Sequence, residues 1–377
     1  MLQATRRMLM LGAGAGASLL GPAAWAAEPT LEDDGYFETW EELVTGVAVI
    51  RQAKPFHLQP IGNVTVIQQT DGLVLVDSGG SPGSGRRVGK QIRAHRPNTP
   101  VKAVILTHWH GDHPLGLGEI LKAWPDARTI ATQATKAHLA DPRTMNTPGA
   151  ADTKANAAMV AKYGGFADYC AEMAAKATVD AEKTGWAAGA RLFRQYAKDM
   201  DGALTQAPKE AFTDRLVIPD GTWGNVEARF LGRANTDGDA VVWLPSQRIM
   251  ITGDILVAPI PYGYGGYPSD WLRVLKAIRG FGAEVLVPGH GAPMRNDRHL
   301  LRVGAAIESV RDQTLRLAGQ GLDQKAVRAG LKMDVHARVF TGEDPWLRRW
   351  FDSYFVDPLA VSAFKEAKGE PIVQSLG

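Results

Sequence analysis

Four side chains able to hold a metal ion, His108, His110, Asp112 and His113, fall within six consecutive residues. They follow directly on Ala103-Val104-Ile105-Leu106, an apolar run of strand type, with Thr107 between. A strand end that turns at once can fan such side chains towards one point. A helix cap, the other role for a polar loop, asks for Ser, Thr or Asp and not for three histidines. Gly111 and Gly116 fit a tight loop with close backbone approach. Imidazole with carboxylate suits zinc, with iron and manganese as alternatives.

The rest of the chain alternates strand and helix signals around this loop. Val64-Thr65-Val66-Ile67 and Leu73-Val74-Leu75-Val76 flank the turn dipeptide Asp71-Gly72, and Asp77-Ser78-Gly79-Gly80 ends the second strand. Helices are predicted over 84–95 and 117–123, with a strand at 129–131. The lead-in over 28–42 is polar and carries no strand signal. From about 135 to 209 the sequence is Ala-rich with charged residues on one set of faces, which predicts two or three inserted helices, broken at Gly164 and Gly185. Strand signals resume at 216–218, 226–231, 240–244 and 249–251. A helix over 271–280 precedes Val285-Leu286-Val287, which leads into Pro288-Gly289-His290-Gly291, and the chain is helical from Arg298. Two halves of strands and helices around a helical insertion predict an α/β fold of two sheets packed face to face, with helices outside.

Composition narrows the function. With 377 residues, 45% hydrophobic and 22% charged, the chain is of ordinary globular type. A net charge of only +2, with no Lys/Arg block, argues against nucleic acid and leaves a small-molecule substrate as the expected partner. Arg6-Arg7, an apolar stretch to Ala24 and Ala24-Trp25-Ala26 read as a twin-arginine-like signal peptide over 1–26. The expectation is a periplasmic or secreted protein with no stable membrane span once the signal is cleaved. The single cysteine, Cys170, excludes an intrachain disulfide and is expected to be a small buried apolar residue. Trp271, Trp346 and Trp350 stand at helical positions and are expected in the core.

Thr107-His108-Trp109-His110-Gly111-Asp112-His113 resembles the signature of the metallo-β-lactamase superfamily, and its other stations follow in order. Asp77-Ser78-Gly79 is similar to the family's first motif, whose carboxylate supports the metal loop. Gly232 to Asp239 stands where the family has a third histidine, Thr252-Gly253-Asp254 is similar to the strand-end aspartate that bridges two metals, and Pro288-Gly289-His290-Gly291 to the last metal-binding histidine. The resemblance implies a four-layer αβ/βα sandwich over 27–297 that holds the helical insertion, followed by a C-terminal helical extension over 298–377.

The resemblance also implies a ligand set. One metal would take His108, His110 and Asn235; a second would take Asp112, His113 and His290, with Asp254 shared and with Asp77 and Thr236 as supports behind them. Asn235 is the departure, since its neutral amide is a weaker zinc donor than imidazole, and one or two Zn²⁺ ions are compatible with it. The implied chemistry is hydrolysis of an ester, lactone, amide or phosphoester by metal-activated water, with Asp112 orienting that water or moving its proton. β-Lactam hydrolysis, a mononuclear-iron sulfur dioxygenase and a non-catalytic metal-binding protein are the alternatives. Asp254 stands where lactamases of this family carry cysteine or serine, which disfavours the first of these. The loop from Pro259 to Pro268 is expected to bring Tyr262, Tyr264 and Tyr267 to the pocket mouth.

Overall fold

The computed structural model describes residues 29–52, 56–141 and 153–372. Residues 1–26, expected from sequence to be a signal peptide, and residues 142–152 of the insertion lie outside them. The first sheet is a meander, β1 (Glu38–Val44), β2 (Val47–Gln52), β3 (Val64–Gln69) and β4 (Gly72–Val76), continued by three parallel strands. These are β5 (Val101–Ile105), β6 (Arg128–Thr132) and β7 (Glu210–Phe212), reached through α1 (Pro82–His95), α2 (Leu117–Ala123) and α3 (Gln133–Ala140). Between α3 and β7 stand α4 (Thr153–Lys176) and α5 (Asp180–Asp199). The second sheet has the order β12-β11-β10-β9-β8, built from β8 (Arg215–Ile218), β9 (Val226–Phe230), β10 (Ala240–Leu244), β11 (Ile249–Val257) and β12 (Val285–His290). Helix α6 (Pro268–Gly280) joins β11 to β12 in parallel.

Period-two alternation explains the layering. Val74 and Val76 of β4, and Ala103 and Ile105 of β5, point into a core shared with Val242, Ile251 and Val287 of the other sheet. Leu73, Leu75, Val104 and Leu106 point the opposite way and pack on Val88 and Ile92 of α1 and Ile120 of α2. On the far side, Val241, Met250 and Leu286 meet α6 and the C-terminal helices. Strands buried on both faces read as unbroken apolar runs, and this chain is the four-layer αβ/βα sandwich that the motifs imply.

The C-terminal part is α7 (Arg298–Gly319), α8 (Gln324–Gly330), α9 (Asp334–Thr341), α10 (Pro345–Trp350), a π-helical turn (Phe351–Val356) and α11 (Asp357–Lys368). Trp271, Trp346 and Trp350 are buried here, and Cys170 is buried in the same core.

Three features depart from the expectations. The polar lead-in forms β1, an edge strand whose Glu41 pairs with Arg51 of β2 at 2.7 Å; charges on an edge blunt further pairing and mask the apolar alternation. Gly164 and Gly185 do not break α4 or α5, which among the described residues are parted between Lys176 and Asp180. Gly185 is instead a packing site, since a Cβ there would sit 2.4 Å from the ring of Trp346. Strand β7, three residues long, has no periodic signal of its own and is held by pairing to β6.

The insertion is tied to the first sheet by a buried ion cluster. Arg87 of α1 reaches Glu38 of β1 at 2.6 Å and Asp199 of α5 at 2.5 Å, and Tyr36 donates to Asp199 at 2.7 Å. Glu38 and Asp199 are almost fully buried. Arg87→Ala leaves both carboxylates uncompensated, so an expected loss of ~3–5 kcal/mol is measured as a lower urea midpoint, against an unchanged midpoint for the exposed Arg194→Ala.

Candidate metal centre

The ends of four parallel strands supply the site. Strand β4 ends on Asp77, β5 runs through Thr107 into the His108–His113 loop, β11 carries Asp254, and β12 ends on His290. The two sheets meet here: Ala240 N donates to Thr107 O at 2.7 Å, and a Cβ at Gly253 would lie 2.7 Å from Thr107 Oγ1. Gly289 is constrained further, because its Cβ would fall 1.7 Å from Asp254 Oδ1. Glycine is required at both positions for the carboxylate and the metal loop to approach.

Asp77 organises the loop. Its backbone adopts φ +64°, a strained conformation for a residue with a side chain. Its Oδ1 accepts from Thr107 N at 2.8 Å, and its Oδ2 accepts from Thr107 Oγ1 at 2.8 Å and from His113 Nδ1 at 2.9 Å. Thr107 Oγ1 in turn lies 3.0 Å from His108 Nδ1. Both imidazoles are thereby oriented with Nε2 towards the cluster, the arrangement that fixes metal-ligating histidines.

Two donor groups converge, Asp112, His113, Asp254 and His290 in one, and His108, His110 and Asp254 in the other, with the donor atoms of each within 4.8 Å of one another. Asp254 Oδ1 is 3.3 Å from His113 Nε2, and its Oδ2 is 3.7 Å from His108 Nε2 and 3.8 Å from His290 Nε2. Asp112 Oδ2 stands 2.9 Å from His290 Nε2. Ligands on a tetrahedral zinc, bonded at ~2.0–2.1 Å, lie roughly 3.3 Å apart, so these separations fit shared cations. His113 Nε2, His290 Nε2 and Asp254 Oδ1 are buried without a hydrogen-bond partner among the described residues, an arrangement that a bound cation would satisfy.

His110 Nδ1 lies 3.2 Å from His108 Nε2 and 3.3 Å from Asn235 Nδ2, so Asn235, buried in the β9–β10 loop, sits beside the His108/His110 group. That loop is shaped by Asp239, whose Oδ2 accepts from Thr236 N at 2.7 Å and Ala234 N at 3.2 Å. Burial, opposed by the bonds from Thr236, pushes the Asp239 carboxyl up to about 8. Thr236 is buried and acts within the loop, its Oγ1 accepting from Gly238 N.

A cavity of about 980 Å³ opens onto His110, Asp112, Asn235, Asp254 and His290. Its wall comes from the insertion (Met159, Tyr163, Phe166, Phe193, Tyr196) and from the C-terminal helices (Tyr354, Pro358, Val361), together with Trp109, Tyr262 and Tyr264. Of the three loop tyrosines, Tyr262 stacks obliquely 5.4 Å from the His290 ring and Tyr264 is exposed at the mouth. Tyr267 is absent from the cavity lining. It is buried on the other side of the loop, where Arg233 caps its ring at 4.3 Å.

Two supporting residues stand outside the sequence motifs. Asn63 donates to Pro288 O and Gly291 O, both at 2.9 Å, and holds the His290 turn. His138 pairs with Asp237 at 2.9 Å and packs on Trp109, the residue that separates His108 from His110. Both Asn63 and His138 lie far in sequence from the residues they support.

Residues 59–290 match the family model of the metallo-beta-lactamase superfamily. The chain belongs to this superfamily. Over 308 residues it is 25% identical to the linear primary-alkylsulfatase of Pseudomonas sp. (strain ATCC 19151), a match covering 76% of this chain and 52% of that protein. It is 22% identical over 298 residues to the alkyl/aryl-sulfatase BDS1 of Saccharomyces cerevisiae (strain ATCC 204508 / S288c), covering 72% and 42%. Among solved structures it is similar to the stereoselective inverting sec-alkylsulfatase Pisa1 from Pseudomonas sp., with a TM-score of 0.63 and 16% identity over 91% of this chain and 52% of that one. The chain spans about half the length of the curated relatives it matches. Membership makes this a metallo-hydrolase fold whose clustered donors suit a divalent cation. No described helix is long and apolar enough to cross a membrane.

The electrostatics couple that cation to protons. Burial, and then His113, hold His108 well below the ordinary imidazole range, and burial also lowers His110. Burial works against charge on His113 as well, yet Asp254, Asp112 and Asp77 outweigh it and push this imidazole well up. His113 therefore carries a proton at neutral pH when no cation is present, and a ligating cation must displace it. Metal binding at the His113 site is expected to release about one proton, and affinity there to weaken as pH falls. Calorimetry at pH 7.5 in buffers of different ionisation enthalpy checks this: equal heats in all buffers would contradict it.

Proposed function

We propose that this protein is a metal-dependent hydrolase of sulfate esters that carry an apolar alkyl or aryl group. One observation carries the reading: a cavity walled by aromatic and aliphatic side chains ends directly on the clustered ligands. Ester hydrolysis is also the reading that the motifs support, and the sulfate ester comes from the named activities of the alkylsulfatases it resembles. An apolar chamber of this size suits a hydrocarbon chain or ring, burying area at ~25 cal/mol per Å², while the ester group meets the charged cluster.

In this reading His108, His110 and Asn235 hold one cation and Asp112, His113 and His290 the other, with Asp254 between them and zinc as the preferred metal. When bound, such cations acidify water and polarise the ester. The chain's own groups do the rest. Asp112, 28% exposed at its side chain and facing the cavity, accepts the proton of the attacking water. Its carboxyl is held low despite burial by His113 and His290, so it is an ionised acceptor at neutral pH. Asp77 and Thr107 keep the imidazoles oriented, and the aromatic wall excludes bulk water from the ester. Export through the twin-arginine-like segment would place this activity outside the cytoplasm.

The test is a substrate panel on metal-quantified protein: aryl and alkyl sulfates beside carboxylic esters, lactones, phosphodiesters and β-lactams. Sulfate esters are expected to be turned over at least about tenfold faster, in kcat/KM, than any other class, and to lose that turnover on chelation. Faster hydrolysis of another class in the panel would overturn the sulfate assignment.

Asn235 makes the two sites unequal. A change to a poorer ligand costs at least the 10–100-fold that loss of a supporting partner does, so the His108/His110/Asn235 site should lose its metal first on dialysis against a weak chelator. Asn235→His is expected to retain two metals under the same dialysis. Two tightly held metals in the unaltered protein would contradict the unequal-site reading.

A further inference from the structure

The loop that carries Asn235 is fixed from outside by α3, the helix with which the insertion begins. Gly238 O accepts from the hydroxyls of Thr132 at 2.7 Å and Thr135 at 2.9 Å, and a Cβ at Gly238 would fall 2.6 Å from Thr135 Oγ1. The loop therefore rests flush on the start of the helix. One turn further along α3, His138 Nε2 donates to the carboxylate of Asp237, with both oxygens at 2.9 Å. Asp237 stands two residues beyond Asn235.

The same imidazole serves the histidine loop. It packs on Trp109 with ring centroids 4.7 Å apart and planes 31° apart, and Trp109 meets His110 edge-on, also at 4.7 Å. Trp109 is buried and its Nε1 has no hydrogen-bond partner among the described residues, so packing sets where the indole lies. His138 is thus in contact with both loops that meet at His110 and Asn235, whose ring Nδ1 and amide Nδ2 are 3.3 Å apart. The threonine bonds fix the Asn235 loop; His138 adds a tie between that loop and the histidine loop.

The other donor group has its own supports. Asp77 orients His113, Asn63 holds the His290 turn, and Gly289 admits Asp254. The need for support is unequal as well. An amide gives a cation less than an imidazole does, so a site completed by Asn235 depends more heavily on donors that already stand in place.

We infer that His138 is a positioning residue for the His108/His110/Asn235 site, holding Trp109 and Asp237 together so that His110 and Asn235 face one cation. The inference rests on the two-site reading above. It adds the residue through which the insertion, which walls the chamber, also governs metal retention.

The experiment measures zinc affinities of the unaltered protein, His138→Ala and His138→Gln by competition with a chromophoric chelator. Asn235→Ala, measured alongside, marks which of the two affinities belongs to the Asn235 site. Loss of a residue that supports a ligand costs about 10–100-fold in affinity. His138→Ala is therefore expected to weaken the Asn235-site zinc by at least about tenfold and the Asp112/His113/His290 zinc by less than about twofold. His138→Gln keeps an N–H donor for Asp237 and a flat face for Trp109, and it is expected to recover most of the loss. Equal weakening of both zincs is what a general loosening of the fold would give, and it overturns the inference, as does an Asn235-site zinc that is unmoved. Amide hydrogen exchange of the metal-free protein reads the same tie without any cation. Residues 234–239 are expected to exchange faster in His138→Ala while residues 77 and 78 keep their rates, and unchanged exchange over 234–239 overturns the inference. A single zinc in the unaltered protein removes the two-site reading, and the exchange measurement then decides the positioning role by itself.

Discussion

The carboxylate of Asp77 is the group on which the rest of the centre depends. It is buried at the end of β4 and satisfied from three directions, by the Thr107 amide, the Thr107 hydroxyl and the His113 ring. A buried carboxylate left unpaired would carry a large desolvation cost, so these bonds can be made only in one arrangement of the two strand ends. That arrangement delivers His108 and His113 with their Nε2 atoms inward, and with them the loop that carries His110 and Asp112. The φ of +64° at Asp77 is the local strain that the surrounding bonds hold in place.

The sandwich supplies the other half. Parallel strands β11 and β12 end beside β4 and β5 because the two sheets pack face to face with their alternating apolar residues interleaved. Asp254 and His290 then reach the cluster from the second sheet, and glycines 253 and 289 let the backbones close to a distance that any side chain would prevent. The donors so gathered are mutually compatible only as ligands. Like imidazoles crowd one another, carboxylates push the His113 pKa up, and buried nitrogens stand without partners. Chemistry is concentrated where folding alone would disfavour it.

The chamber has a different origin. Helices α4 and α5 and the C-terminal helices contribute most of its aromatic wall; α5 is anchored through Arg87 and through the Tyr196 bond to Gly80, and the C-terminal helices pack on the outer face of the second sheet. The centre and the chamber wall thus come from different parts of the fold. The Tyr262 loop, fixed on the π-helical turn, is where the two meet.

Much of this was legible in the residues. The apolar runs of β3 to β6 and β9 to β12 report strands buried on both faces, and the His108–His113 spacing reports the metal loop, because both are local patterns. Asp77, Asp254, His290 and Asn235 were legible only as motif positions; that they converge is a statement about distance across two sheets. Strands β1 and β7 were not legible, since charge on an edge and a three-residue length erase periodicity. Gly164 and Gly185 misled because a glycine's cost inside a long helix is small beside the packing of its neighbours. Asn63 and His138 were hidden by their separation in sequence from the backbone and ring they support. Tyr262 and Tyr267, five residues apart on one loop, look equivalent in sequence, yet one faces the cluster and the other lies under Arg233. Local periodicity and ligand chemistry are written along the chain, so the sequence determined the sandwich and the metal loop. Which side chains face one another across the chamber depends on how helices distant in sequence pack, and only the tertiary structure decided it.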